Sequence, residues 1–204
     1  EEMRRCGVAP SLATYTAALN ACGAKGGAGQ PAGAKSAVAL FDALQREGLV
    51  ADMACWNGLF DAIGPEHAQS RALLRQMLEH QDFVASAVSI EAGLPKLDLH
   101  GLSQVAAELV ARWWLLDELP RTLSATAEAT RPSRAILVTG HGMSREHKLS
   151  GVVKKRVASV VDELGVTRIT QPNPGRVVVQ WPPKALIDKA AGCGGATSEP
   201  DAQA

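Results

Sequence analysis

Two short apolar runs, each ending at glycine, constrain this chain more than anything else in it. The first is Leu97-Asp98-Leu99-His100-Gly101 and the second is Ala135-Ile136-Leu137-Val138-Thr139-Gly140-His141-Gly142. Between them, Val105, Ala106, Leu109, Val110, Trp113 and Leu116 keep helical spacing from Ser103 to Leu119, and Ser103 stands where an N-cap belongs. Strand, helix, strand and a Gly-x-Gly turn in that order place both glycine ends at the carboxyl edge of a sheet, where α/β folds gather their sites. Residues i and i+2 of a strand share a face, so Asp98 and His100 stand side by side there.

The pattern continues downstream. Residues 120–132 are rich in Thr, Ser and Ala without period and read as a loop, followed by a strand over 134–139. Leu149, Val152, Val153, Val157, Val160, Val161 and Leu164 make one apolar face of a helix near 148–164. Two β-rich runs, 166–170 and 176–180, flank Pro172-Asn173-Pro174-Gly175, a strong turn signal. The expected order from residue 95 is therefore β-α-β-α-β-β, and the composition from residue 192 to 204 predicts a disordered tail.

The first half carries a repeat. Met3, Gly7 and Tyr15 recur as Leu44, Gly48 and Trp56, each set followed by an apolar helical pattern. The spacing predicts helices near 13–24, 35–47, 53–63 and 67–80, and reads Gly26 to Gly33 as a flexible insertion between the first two. A helical hairpin cannot bury its apolar face alone, so such units stack. Glu1 to Arg5 reads as the end of a helix already under way, which predicts that this chain is part of a longer one.

The formal net charge is zero, but it is unevenly spread. Residues 1–94 hold 7 basic and 10 acidic side chains, whereas residues 95–191 hold 14 and 9. The half with the glycine turns is thus the basic one, which suits contact with a polyanion. Cys6, Cys22, Cys55 and Cys193 form no CxxC pair, and no His stands at metal-binding spacing from them. A zinc site is not expected, and free thiols in a reducing compartment are. No apolar run is long enough to span a bilayer, so no membrane partner is expected.

The LDLH and TGxG segments, with their β-α-β context, resemble the small MutS-related (SMR) domain, over residues 95–191. The units in front are similar to pentatricopeptide repeats (PPR), whose period is about 35 residues, over residues 1–90. The joint pattern resembles PPR-SMR proteins of plant and algal organelles. The resemblance implies an α + α/β architecture, a helical-hairpin solenoid fragment followed by a small mixed-sheet domain. It also implies a plastid or mitochondrial location and further repeats upstream.

In function the resemblance implies binding of single-stranded RNA by the repeats and RNA endonuclease activity in the second domain. A non-cleaving RNA-binding adaptor and a DNA-nicking domain are the alternatives. Asp98 and His100 would form the cleavage site, with His100 as base and Asp98 either orienting it or holding a divalent cation such as Mg2+. Thr139, Gly140, His141, Gly142, Arg145, Lys148, Lys154 and Lys155 are the expected phosphate contacts. Base reading falls by resemblance on Thr16 with Asp52, a pairing associated with guanine, and on Asn57 in the next unit. Trp113, Trp114 and Trp181 are expected in the core or an interface rather than as stacking platforms.

Overall fold

A computed structural model describes residues 2–24, 29–80, 83–140, 150–169 and 175–180. The chain is mixed α and β. Its helical half comprises α1 (Glu2–Arg5), α2 (Leu12–Ala24), α3 (Pro31–Arg46), α4 (Met53–Ile63), α5 (Ser70–His80) and α6 (Phe83–Ala87). The four longer helices stand close to where the apolar periods place them. The insertion is shorter than its glycine content suggests: Pro31 opens α3, so residues 31–33 are helical. Proline in the first helical turn gives up no intrahelical bond and arrives with its φ already set. The rest of that insertion, residues 25–28, lies outside the described residues.

Helices α2, α3 and α4 pack on one another around Leu19, Phe41, Leu44, Trp56 and Leu59, all fully buried. The Trp56 ring lies 4.5 Å from that of Phe41 and 5.9 Å from that of Phe60 between centroids. Each such side chain contributes about 2–3 kcal/mol through burial, so this cluster holds the three helices together. Asp52 caps α4 by accepting the Cys55 N–H at 2.8 Å.

Among the described residues the sheet has five strands: β1 (Val88–Glu91), β2 (Leu94–Asp98), β3 (Arg134–Val138), β4 (Thr167–Ile169) and β5 (Arg176–Gln180), in spatial order β1-β2-β3-β5-β4. Only β2 and β3 run parallel; the other pairs are antiparallel. β1 is unexpected: it crosses residue 90, where the region read as helical repeats ends. Ala92 and Gly93, with φ of 50° and 78°, make a two-residue turn that folds β1 back on β2. Two left-handed residues match the twist of a tight hairpin, a signal that Ala-Gly carries more weakly than Asn-Gly.

Strand alternation sorts the sheet into two faces. Leu97, Leu99, Ala135, Leu137, Val177 and Val179 point into the core, while Lys96, Asp98, Val138 and Arg176 belong to the opposite face. The core is shared: buried side chains of α2–α5 and those of the sheet join in one contiguous cluster.

On the core side lie α7 (Gln104–Trp113) and α9 (Ser150–Glu163), packed on each other. α7 departs from expectation beyond Trp113. Residues 114–118 form a wide π-turn, closed by Leu119 N–H donating to Trp114 O, and α8 (Leu119–Ser124) continues the helix through Pro120. Residues 120–124 are therefore helix, not loop, and a single 3₁₀ turn follows at Glu128–Thr130. Pro120 lacks the N–H that a regular turn would use and its ring crowds the preceding turn; the wide turn relieves both. It also changes the buried face. Ala107, Ala111, Leu115, Leu119 and Leu123 are all buried at strict i+4 spacing. That spacing drifts around an α-helix of 3.6 residues per turn, and the wider turn corrects the drift. Trp114 is 1% exposed and lies in the core as expected, continuing the buried row of Ala107, Val110 and Ala111, whereas Leu116, placed in the apolar stripe by its spacing, is 48% exposed.

Glu108 is the one acidic side chain among the described residues that is buried. Its carboxylate receives Arg156 Nε at 2.6 Å and Nη2 at 2.5 Å, and Arg112 Nε at 3.2 Å, tying α7 to α9. Arg112 and Arg156 also meet Glu163. No helix among the described residues is long and apolar enough to cross a membrane. Removing one partner of a buried ion pair strands the other. Glu108→Ala is expected to cost about 3 kcal/mol, the lower end for such a loss because both arginines keep some solvent. Urea unfolding followed by tryptophan fluorescence checks it.

Candidate active site

Parallel pairing sets Asp98 opposite Val138, and Leu99 N–H donates to Val138 O at 2.8 Å. Both strands end here. The chain leaves β2 through a β-turn in which Leu102 N–H donates to Leu99 O at 3.2 Å. Gly101 takes the third position with φ +80°, a backbone state that side-chain-bearing residues resist. His100 thus stands at the crest of the turn, with its side chain 74% exposed.

Asp98 Oδ1 accepts two N–H groups, the His100 backbone N–H at 3.0 Å and His100 Nδ1 at 2.8 Å. In the neutral ring, the tautomer that donates from Nδ1 to Asp98 leaves Nε2 with its lone pair. The pair forms a proton-accepting dyad whose ring is oriented by its own strand. Gly140, at φ +79°, lies against it: a Cβ at that position would sit 3.5 Å from the His100 Cβ. The two glycine-ended segments therefore do meet, as their spacing implies.

Helix α4 braces the turn. Asn57 Nδ2 donates to Gly101 O at 2.8 Å, and Asn57 Oδ1 accepts the Ser103 N–H at 2.8 Å. One helical turn on, Asp61 Oδ1 accepts the Ser103 hydroxyl at 2.7 Å. The same hydroxyl oxygen caps α7 by accepting the Ala106 N–H at 3.3 Å. Burial pushes the Asp61 carboxyl above the ordinary carboxylate range, against the opposing pull of its bonds from the Ser103 hydroxyl and the Val105 N–H.

Several expected ligands are placed otherwise. Asn57 does not face outward as a base reader, because both ends of its carboxamide are committed to residues 101–103. Thr16 donates to Leu12 O at 3.0 Å and touches Cys55 Sγ at 3.0 Å. Burial pushes that Cys55 thiol up, and thus keeps it neutral and unreactive. Asp52 is exposed at the α4 cap. Thr139 does not present its hydroxyl to a phosphate: it is 6% exposed, and both its N–H (2.9 Å) and its hydroxyl (3.3 Å) donate to Gly175 O, latching β3 to the start of β5. Lys154 is half-buried and Lys155 exposed on α9. His141, Gly142, Arg145 and Lys148 lie outside the described residues, as do Trp181, Cys193 and the tail.

Among the described residues no three His, Cys, Asp or Glu side chains gather, and Asp98 Oδ1 is already engaged by two N–H groups. The roles of Asp61 and Arg176 are not visible in the sequence, since both depend on tertiary partners. Arg176 lies in the same cross-strand row as Asp98, one strand beyond Val138.

Two expected outcomes follow from the α4 brace. Asn57→Leu should shift the His100 ring nitrogens in ¹⁵N spectra toward an exchanging tautomer mixture, with Asn57→Asp intermediate because it keeps only the acceptor. For Asp61, a raised folded-state pKa means the folded chain holds the proton longer than the unfolded one. Its contribution to stability is thus fully present at low pH and is lost as pH rises through the ordinary aspartate range toward the raised value. Asp61→Asn should gain stability relative to wild type across that window, read from urea midpoints at stepped pH. No protein-family model matches this chain, and no curated protein sequence matches it.

Proposed function

We propose that this chain binds single-stranded RNA and cleaves it at the Asp98–His100 dyad, as a member of the PPR-SMR class that its sequence resembles. The observation that carries the reading is the double use of Asp98 Oδ1, which fixes an exposed imidazole with a free Nε2 beside Gly140. In this reaction Nε2 takes the proton of a ribose 2′-hydroxyl. The 2′ oxygen attacks the adjacent phosphorus, the P–O5′ bond breaks, and the departing 5′ oxygen takes a proton from water, whose hydroxide then receives the proton held on Nε2. The products are a 2′,3′-cyclic phosphate and a 5′-hydroxyl end. Asp98 stabilises the imidazolium that forms, as an acid beside a catalytic histidine does.

The helical half supports the same partner in a reduced way. With Asn57 committed to the turn and the Thr16 hydroxyl engaged by Leu12 O and Cys55 Sγ, Asp52 is the one expected base reader left exposed, so this stretch addresses at most a single nucleotide. The organellar location belongs to the same reading and rests on the resemblance alone. Excess basic charge between residues 95 and 191 favours a polyanion in this half.

The test is a cleavage time course on end-labelled single-stranded RNA, matched DNA, and RNA carrying one 2′-deoxy nucleotide. Wild type should cut RNA and spare DNA and the deoxy position. His100→Ala should slow cleavage by about 10²-fold or more, the usual loss for a general base, with RNA affinity kept. Cleavage that survives both His100→Ala and Asp98→Asn would sink the reading. Binding without cleavage by wild type would make the chain a non-cleaving adaptor.

A further inference from the structure

The sheet face that carries Asp98 holds a second group of charges. Asp98, Val138 and Arg176 are register partners across β2, β3 and β5, so their side chains leave the same face. With strands about 4.8 Å apart, the Arg176 Cα stands about 10 Å from that of Asp98. Lys96 is two residues before Asp98 on β2 and shares the face. Between the two cations lies Glu91, the last residue of β1. It accepts Lys96 Nζ at 3.2 Å on Oε2 and Arg176 Nη1 on Oε1. These hydrogen bonds hold the Glu91 carboxyl below the ordinary carboxylate range. All three side chains are only about a quarter to a third exposed.

We propose that Lys96 and Arg176 form a phosphate subsite for the RNA strand, and that Glu91 occupies it in the free protein as an internal anion. Glu91 spreads two oxygens over an ammonium and a guanidinium, the arrangement in which a phosphate is held. Lys96, Asp98 and Arg176 stand on a common floor whose centre, Val138, is uncharged. A strand that brings a ribose to His100 passes its next phosphate over Lys96 and Arg176. Entry of that phosphate displaces the Glu91 carboxylate into water, where an exposed carboxylate loses little. The exchange trades one anion for another, so the cations are never left unpaired. Sequence selectivity is not expected here, because phosphate contacts position a strand without reading it.

This inference rests on RNA as the partner but not on cleavage, and the two fail separately. The experiment measures the Kd of the full chain for a short unstructured RNA at several salt concentrations, by fluorescence anisotropy. Arg176→Ala should weaken binding about tenfold at low salt, the size of one lost charge-assisted contact, and lower the log–log salt slope by about 0.7, the share of one phosphate on a single strand. Glu91→Gln should act in the opposite direction and tighten binding severalfold, because the amide no longer competes as an anion. A gain of affinity cannot arise from misfolding, so the paired signs guard against that reading of the Arg176 result. Affinity unchanged in both variants, or no RNA binding by wild type, overturns the subsite. Opposite shifts in a protein that never cuts RNA would uphold the subsite and overturn the endonuclease.

Discussion

The pairing of β2 with β3 is the contact on which the candidate site depends. It is the one parallel pair among the described strands, and it brings to one edge two segments that the chain separates by an entire helix. Leu97 and Leu137 face each other across it, both fully buried, which locks the register. A slip of one residue would turn Leu97 and Leu99 to water and Asp98 into the core. The same burial that fixes the strands therefore also fixes which face the carboxylate leaves and where the histidine-bearing turn begins.

Helix α4 supplies the second constraint. On one side it carries Trp56 and Leu59 into the helical core; on another it presents Asn57 and Asp61, one turn apart, to residues 101–105. Neighbours at i and i+4 share a helix face, so these two polar groups act on one short segment as a unit. Every donor and acceptor they use is a backbone group or the capping hydroxyl. The turn beneath His100 is thereby held from a neighbouring element, and its ring stands in solvent on a fixed support.

Much of this arrangement is legible in the residues. The apolar periods place α2–α5, β2, β3, α9 and β5, and the meeting of Gly140 with His100 follows from the strand–helix–strand order. Three features are not legible, each for a physical reason. Pro120 reads as a helix terminator, and only the wide turn before it, set by packing of Leu115, Leu119 and Leu123, lets the helix pass. β1 lacks the usual hairpin dipeptide, so its turn rests on Ala92 adopting a positive φ. The duties of Asn57 and Thr139 are decided by partners 44 and 36 residues away, Gly101 and Gly175, which local pattern does not encode.

The commitment of Asn57 has an evolutionary consequence. In a stack of helical hairpins, outward polar positions are free to drift, because each change alters only what the unit touches in solution. Here that freedom ends at α4. A substitution at position 57 would release Gly101 and Ser103 together, so this face of α4 and the histidine turn cannot vary independently. Position 57 is consequently held as tightly as a core position, although its side chain is polar and lies at the edge of the helical half.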